Sequence, residues 1–218
     1  MTQNIRAVIW DMGGVIIRGS DGGVSRERLA RRLGMERAAL EDIVFNSEPS
    51  RLSLLGKITE AAAWENVGDL IGLHGEELTQ ARKEFFSGNQ LDSELVAWID
   101  SLRPRYKTGL LSNAWAGTRQ SLGARFAFLH VFDVSVFSDE VGMVKPAPAF
   151  YRWILERLDV LPEESVFIDD KLTNIEAARA LHMSGIHFQN RGQVLQDLQK
   201  LLPEFPEWPQ GRAAFAEG

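Results

Sequence analysis

The first candidate for chemistry in this chain is Asp11, which ends an apolar run at residues 7–10. Gly13 and Gly14 follow it, so an anionic group could come close to the backbone N–H groups of this turn. Ligands of α/β proteins bind just beyond the carboxyl ends of the strands. We therefore predict a buried strand that delivers one carboxylate to a ligand-binding turn.

Polar residues also follow two later apolar runs. Ser112 ends the run at residues 108–112, and Asn113 comes directly after it. Lys145 follows the run at residues 131–137, in a turn bounded by prolines at the start of a predicted helix. A lysine fixed in this way is oddly placed for a residue that only contacts solvent. We interpret the three residues as candidate donors to a bound anion.

The apolar run at residues 165–169 ends in a carboxylate and is followed by a second one, giving the pair Asp169 and Asp170. Adjacent carboxylates repel each other unless a cation or a basic residue compensates their charge. Mg²⁺ is typically held by one or two carboxylates together with oxygens of its ligand. We therefore expect a Mg²⁺ site beside this pair.

These groups together have the chemistry of phosphoryl transfer. A carboxylate such as Asp11 can attack phosphorus and form an aspartyl-phosphate intermediate. Lys145 and Mg²⁺ would neutralise the non-bridging oxygens, while Ser112 and backbone N–H groups would orient them. Each motif alone is also explained by a plain turn or a helix cap. Four such motifs, each at the end of a predicted strand, favour a catalytic site.

The elements that must position these residues are visible in the hydrophobic pattern. The apolar runs predict strands at residues 5–10, 108–112, 131–137, 165–169 and 184–188. Segments between them, such as 147–158 and 172–181, have apolar residues at helical spacing. Continuous apolar strands that alternate with amphipathic helices indicate a parallel sheet covered on both faces. We predict a doubly wound α/β fold with the first strand in the centre of the sheet.

One interval, at residues 11–107, is too long for a crossover between strands. Helical apolar stripes recur within it at residues 25–33, 37–45, 59–70 and 76–86. Turn signals separate these stripes, among them Pro49, and Thr59 fits a helix cap. We predict that this block is an inserted all-helical cap, placed to close over a ligand at Asp11 and to exclude water.

The predicted organisation is therefore a core interrupted by a cap and followed by a tail. The boundaries that we expect are 1–17 and 90–202 for the α/β core, 18–89 for the helical cap and 203–218 for the carboxyl-terminal tail. Prolines at positions 203, 206 and 209 argue against a helix in the tail. The residues between 18 and 23 are rich in glycine, so we expect them to act as a hinge or flap between core and cap.

Composition excludes several classes of function. The chain has 218 residues with 24 basic and 30 acidic side chains, a net charge of −6, which argues against non-specific binding of nucleic acid. No cysteine is present, so disulfides, thiolate metal sites and cysteine nucleophiles are excluded. No apolar stretch approaches the roughly 20 residues that span a bilayer. We expect no membrane partner and a cytoplasmic location.

In these motifs the chain resembles the haloacid dehalogenase-like hydrolase superfamily, from residue 5 to about residue 202. The segments that carry the resemblance are 11–15 for the first motif, Ser112-Asn113 for the second, Lys145-Pro146 for the third and Asp169-Asp170 with Asn174 for the fourth. The helical insertion resembles the cap of the subfamily whose caps are entirely helical. The resemblance implies a Rossmann-like core and a phosphatase that acts on a small phosphorylated metabolite.

The resemblance also implies individual roles. Asp11 would be the nucleophile and a Mg²⁺ ligand, with the backbone carbonyl of Gly13 and the side chain of Asp170 completing the protein share of the metal site. Asp169 would either bind the metal through water or support its ligands from behind.

Five residues are implied around the phosphoryl group. Gly13, Gly14, Ser112 and Asn113 would bind it, and Lys145 would steady both nucleophile and phosphate. Asn174 would orient Asp170 or Lys145.

One residue departs from the pattern of the phosphatases that this chain resembles. Gly13 stands where they usually have the aspartic acid that protonates the leaving alcohol, a contribution typically worth about 10²–10⁴-fold. Two alternatives therefore stay open, a 2-haloacid dehalogenase and a non-catalytic binding protein of this fold. Dehalogenation would need a cap arginine, for which Arg18, Arg26 and Arg51 are candidates. Both a monomer and a homodimer are compatible with the sequence.

Overall fold

The computed structural model describes residues 4–206. Its strands are β1 (Ala7–Trp10), β2 (Ile17–Gly19), β3 (Asn89–Leu91), β4 (Lys107–Ser112), β5 (Val134–Phe137), β6 (Ser165–Asp169) and β7 (Ser184–His187). Its helices are α1 (Val24–Arg32), α2 (Arg37–Asn46), α3 (Glu48–Leu54), α4 (Glu60–Ile71), α5 (Gly75–Phe85), α6 (Ser93–Leu102), α7 (Thr118–Arg125), α8 (Ser138–Val141), α9 (Pro148–Leu158), α10 (Leu172–Ala180) and α11 (Arg191–Leu201). Within these residues no helix has both the length and the apolar character needed to cross a bilayer.

The main sheet has five parallel strands in the order β5-β4-β1-β6-β7. The chain builds outward from β1 through β4 to β5, then crosses back and continues through β6 to β7. The predicted doubly wound fold with a central first strand is therefore confirmed. The change of direction beside β1 places the carboxyl ends of β1, β4 and β6 around one crevice, which is where such sheets bind ligands.

Both faces of β1 are buried because its side chains alternate between two hydrophobic layers. Val8 and Trp10 belong to one layer, in which Trp10 lies edge-on to Trp98 of α6 with ring centroids 6.3 Å apart. Ala7 and Ile9 belong to the other layer, beneath α9 and α10. A strand buried on both faces has a continuous apolar run, and this is why the sequence identified it.

The long interval between β1 and β4 contains helices α1 to α5, of which α1, α2, α4 and α5 share a hydrophobic cluster of their own. Its most buried large members are Leu29, Leu40, Val67 and Phe85. The N-cap predicted for Thr59 is present, because its Oγ1 accepts a hydrogen bond from the Ala62 amide at 3.2 Å. The turn expected at Pro49 is wrong, since this proline lies in the first turn of α3, where its missing N–H has no helical partner to lose.

An antiparallel pair of short strands joins the helical block to the core. β2 and β3 pair so that Ile17 faces Leu91 and Gly19 faces Asn89. The boundaries expected at residues 18 and 90 fall inside these strands, and the division into core and cap stays a prediction. The paired strands bring the outgoing and returning chains together close to Asp11, at one end of the helical block.

The described part of the tail lies against the core. Phe205 packs on Trp98 with ring centroids 5.3 Å apart, and the indole Nε1 of Trp98 donates to the carbonyl of Pro206 at 3.3 Å. The amide of Glu204 donates to the Tyr106 hydroxyl at 3.0 Å. Residues 207–218, the rest of the predicted tail, lie outside the described residues.

Candidate active site

The residues singled out from the sequence meet at the carboxyl edge of the sheet. Asp11 follows β1, Ser112 ends β4 and Asp169 ends β6, so three neighbouring strands each deliver one side chain. Lys145 arrives from the turn before α9. All four are buried, with between 0% and 7% of their surface exposed.

Lys145 joins two of these carboxylates. Its Nζ lies 2.6 Å from Oδ1 of Asp11 and 2.7 Å from Oδ2 of Asp169. The Phe167 ring lies on another side of the ammonium group, with Nζ 5.4 Å from its centroid. Since each carboxylate accepts a charge-assisted hydrogen bond from the same ammonium group, the lysine holds Asp11 at a defined position.

Burial sets the protonation chemistry of this pair. It raises the pKa of Asp11 to about 7, although Lys145 opposes the shift, and the charge of Asp169 raises it further. Burial alone would lower the pKa of Lys145, but Asp11 and Asp169 outweigh it and raise that pKa instead. Lys145 therefore stays protonated at neutral pH. Asp11 is the group of this pair whose protonation state changes near neutral pH.

Asp169 is saturated with hydrogen bonds. Its Oδ1 accepts from the backbone amide of Lys171 at 2.8 Å, and both oxygens accept from Nδ2 of Asn174 at 3.0 Å. Together with Lys145 these donors occupy both oxygens. Asn174 thus orients Asp169, not the Asp170 or Lys145 that we expected, and reaches the lysine only through this carboxylate. Behind it, the Tyr151 hydroxyl donates to the carbonyl of Asn174 at 3.0 Å.

Asp170 has the opposite environment. Its Oδ1 is buried and accepts no hydrogen bond from the described residues, and burial, followed by the charge of Asp169, raises its pKa. Carboxylate oxygens of Asp11, Asp169 and Asp170 lie within 4.8 Å of one another. A buried carboxylate without a partner costs free energy unless a cation compensates it. The donor set therefore fits a hard divalent cation.

Gly14 allows Asp170 to occupy this position. The glycine has a φ of 81°, and a Cβ built on it would overlap the Asp170 carboxylate. A side chain at this point would therefore be strained and would displace the carboxylate.

Gly13 differs from its neighbour. Both glycines are exposed, but a Cβ built on Gly13 meets no atom within 4 Å. Its own N–H and carbonyl form no backbone hydrogen bond within residues 4–206. The turn thus presents one free donor and one free acceptor beside Asp11, with open space above them.

The two residues of the second motif, Ser112 and Asn113, lie in different environments. The Ser112 hydroxyl is buried, and it has no hydrogen-bond partner in the described part of the chain, so it is available to a ligand. The Asn113 side chain is engaged with the backbone of Lys145, because Nδ2 donates to the carbonyl at 3.0 Å and Oδ1 accepts from the amide at 2.8 Å. These bonds hold the lysine turn, and they leave the second N–H of Nδ2 and the backbone of Asn113 for an anion.

The loop after Ser112 connects the candidate site to the helical block. Trp115 packs on Trp64 of α4 with ring centroids 5.4 Å apart. The amide of Ala116 donates to Oγ of Ser53 in α3 at 3.2 Å. Trp115 therefore lies against the aromatic cluster of the helices.

Sequence reasoning missed one neighbour of the site. Nε2 of His187 lies 2.9 Å from the backbone carbonyl of Asp170. A carbonyl only accepts hydrogen bonds, so this nitrogen carries the proton. His187 ends β7, and this position could have identified it as a neighbour of the site, because other strand ends also carry polar residues of the site.

Two curated proteins are similar to this chain over most of its length. A sesquiterpene phosphatase (astK) from Aspergillus oryzae is 27% identical over 206 residues, covering 93% of this chain and 99% of the relative. A D-ribitol-5-phosphate phosphatase from Bacteroides thetaiotaomicron is 27% identical over 210 residues, covering 91% and 98%.

A solved structure agrees on the fold. An enzyme of this fold family from B. thetaiotaomicron, in complex with magnesium and inorganic phosphate, superposes with a TM-score of 0.69 at 21% identity and covers 87% of this chain and 98% of its own. The model of the family described as haloacid dehalogenase-like hydrolase matches residues 5–182. Since that match covers more than half of the chain and includes Asp11, Ser112, Lys145 and Asp169, the chain belongs to the haloacid dehalogenase-like hydrolase family.

Proposed function

We propose that this hydrolase is a Mg²⁺-dependent phosphatase that cleaves a small phosphomonoester through an aspartyl-phosphate on Asp11. One observation carries the proposal: Asp11 is held by Lys145 through Oδ1 alone. Its other oxygen, Oδ2, accepts no hydrogen bond from the described residues, and 10% of the side chain stays exposed. A carboxylate fixed on one side and free on the other is suited to nucleophilic attack.

In this mechanism Oδ2 of Asp11 attacks phosphorus and the bond from phosphorus to the leaving oxygen breaks. Water then hydrolyses the aspartyl-phosphate and regenerates the carboxylate. Lys145 balances the charge of Asp11 and of the transferring group at the same time, since its ammonium already contacts the nucleophile. The Ser112 hydroxyl and the free N–H of Gly13 are donors for the phosphoryl oxygens.

The residues that would hold Mg²⁺ are Asp170 through its unpartnered carboxylate, Asp11, and the free carbonyl of Gly13. When bound, Mg²⁺ would neutralise phosphoryl oxygens as a Lewis acid. We expected Asp169 to be a metal ligand. Its hydrogen bonds favour a different role, in which Asp169 fixes the position of Lys145. Two asparagines support this lysine. The Asn113 side chain bonds to the backbone of Lys145, and Asn174 holds the Asp169 carboxylate that contacts the ammonium group.

The phosphatase is favoured over the two alternatives. A dehalogenase that attacks carbon has no use for the buried and unpartnered oxygen of Asp170. A protein that only keeps the fold has no physical need for a buried lysine between two carboxylates, because such a network is a weak source of stability. The names of the two sequence relatives compared above, both phosphatases, support the same choice.

The test is hydrolysis of a panel of phosphomonoesters by the purified protein, with and without Mg²⁺. Turnover should need Mg²⁺ and should disappear in Asp11→Asn, while Asp69→Asn, at a side chain that is 70% exposed, should keep it. Activity retained in Asp11→Asn would contradict the mechanism. Release of halide from a 2-haloacid, without phosphate release from any ester, would establish the dehalogenase instead.

A further inference from the structure

We propose that Ser53, in helix α3 of the helical block, is a positioning residue for phosphate binding. Its side chain holds the 113–117 loop, which directly follows Ser112. Contact between the helical block and the core thus sets the affinity of the site for a phosphoryl group. The inference rests on the proposed phosphatase function, and it adds a residue that lies 63 positions before its hydrogen-bond partner in the chain.

The 113–117 loop lies between β4 and α7, and side chains of the core hold two of its residues. The buried Ser138 hydroxyl accepts a hydrogen bond from the Ala114 amide at 3.0 Å and donates one to the Ala114 carbonyl at 3.1 Å. The Gly117 amide donates to Oδ2 of Asp139 at 3.3 Å. Both partners belong to α8, so this short helix fixes the loop at positions 114 and 117.

The two residues between these positions contact the helical block instead. The Ala116 amide donates to Oγ of Ser53 at 3.2 Å, and within residues 4–206 it has no other acceptor. The Ser53 side chain is fully buried, and Trp115 packs on Trp64 of α4. Because a backbone N–H that loses its acceptor costs free energy, the conformation of the loop depends on Ser53.

Gly56 fixes the separation between α3 and the core. It has a φ of 68°, and a Cβ built on it would lie 2.3 Å from the carbonyl oxygen of Asp139. This approach is too close for any side chain, so the backbone at the end of α3 lies directly against α8. Because Ser53 lies in the last turn of α3, the same contact fixes where its hydroxyl meets the loop.

The loop is continuous with the candidate phosphate donors. Ser112, whose buried hydroxyl has no partner among the described residues, directly precedes it. Asn113 begins the loop, and its side chain bonds to the backbone of Lys145. Donors that are already in position bind an anion without the free-energy cost of ordering them. Release of the loop at Ala116 should add that cost and weaken phosphate binding.

A second serine of α3 separates this role from a purely structural one. Ser50 is as buried as Ser53, but its hydroxyl donates to the Val44 carbonyl at 2.6 Å and lies 2.9 Å from Oγ of Ser47. Both partners belong to the helical block, and in the described part of the chain Ser50 makes no side-chain hydrogen bond to the core. Ser50→Ala therefore removes an equally buried hydroxyl without affecting the loop.

The experiment is calorimetric titration of inorganic phosphate into the purified protein in the presence of Mg²⁺, which measures a Kd without turnover. Urea denaturation of each variant ensures that the titrations are made on folded protein. We expect Ser53→Ala to raise the Kd for phosphate by about 5-fold or more, the lower end of the usual range for coupling between two sites. Ser50→Ala should lose stability but keep the Kd of the wild type.

Gly56→Ala tests the same contact through the backbone. It keeps the Ser53 hydroxyl but pushes α3 away from Asp139, so the Kd should rise here too. An unchanged Kd in Ser53→Ala or in Gly56→Ala would overturn the inference, as would an equal rise in Ser50→Ala. Wild-type protein that binds no phosphate would refute the proposed function itself, whereas phosphate binding that does not depend on Ser53 would refute only the positioning role.

Discussion

Lys145 and Asp11 form a buried ion pair in which Nζ lies 2.6 Å from Oδ1, and Asp169 holds the same ammonium from its other side at 2.7 Å. Two carboxylates and one lysine leave a net negative charge at the site before Asp170 is counted. Because these side chains are buried, the excess negative charge is poorly compensated by solvent. A cation therefore suits the unpartnered oxygen of Asp170 better than an anion does.

Replacing the lysine should destabilise the fold as well as stop turnover. Lys145→Met leaves two buried carboxylates without their cation, a change that typically costs about 3–5 kcal/mol of unfolding free energy. Urea denaturation measures it. Lys200→Met is the matched control, because Lys200 pairs with Asp197 at the same 2.7 Å but is 72% exposed. The control should lose about 0–1 kcal/mol. Equal losses would contradict the expectation that removing Lys145 leaves its two buried carboxylates uncompensated.

Asp170 should report cation binding without any activity measurement. In the wild type, Mg²⁺ at 100 times its Kd should add about 2.7 kcal/mol to the unfolding free energy. Asp170→Asn removes the unpartnered carboxylate, so thermal unfolding of this variant should respond little to Mg²⁺. In metal-free buffer the variant should be at least as stable as the wild type, since a buried charge is gone. A full Mg²⁺ response in Asp170→Asn would place the cation elsewhere.

The two glycines of the turn should respond differently to alanine. Gly14→Ala puts a side chain at a φ of 81° and against Asp170, so we expect a loss of about 1–2 kcal/mol from the backbone alone, together with weaker Mg²⁺ binding. Gly13→Ala meets open space and should unfold within about 1 kcal/mol of the wild type. Thermal unfolding and Mg²⁺ titration of both variants measure this difference. Similar losses would contradict the geometry of the turn.

The segment before α1 makes a prediction about pH. The Ser25 hydroxyl, with the amides of Ser25 and Gly23, lowers the pKa of Asp21 to about 2. A lowered pKa means that the folded chain binds fewer protons than the unfolded chain between about pH 4 and 2. The stability from Asp21 is therefore complete above pH 4 and lost as the pH falls toward 2.

The measurement is the NMR titration of the Asp21 carboxyl, together with melting of Asp21→Ala. The deficit of the variant relative to the wild type should be constant between pH 5 and 8 and should shrink below pH 4. An Asp21 that titrates near 3.8, the ordinary value for Asp, would show that the turn does not hold its carboxylate.

Much of the fold was predictable because its strands and helix caps depend on residues that are close together in the sequence. Strands buried on both faces require unbroken apolar runs, and such runs preceded Asp11 and the pair Asp169 and Asp170 at the end of β6. The cap of α4 at Thr59 was visible for the same reason, since the bond from the Ala62 amide spans only three residues. Helix α3 was missed because Pro49 marks either a turn or a first helical turn, and tertiary packing decides between them.

The site was predictable as a set of residues but not as a set of contacts. A polar residue after an apolar run indicates a strand end, so residue type and spacing alone determined that Asp11, Ser112, Lys145, Asp169 and Asp170 belong to one edge of a parallel sheet. Only the tertiary structure decided that Asp169 holds Lys145 while Asp170 is left without a partner. Asp169 is the last residue of β6 and Asp170 lies just beyond the strand. The lysine that selects between them lies 24 residues earlier in the chain, and its approach depends on how the turn before α9 packs against the sheet.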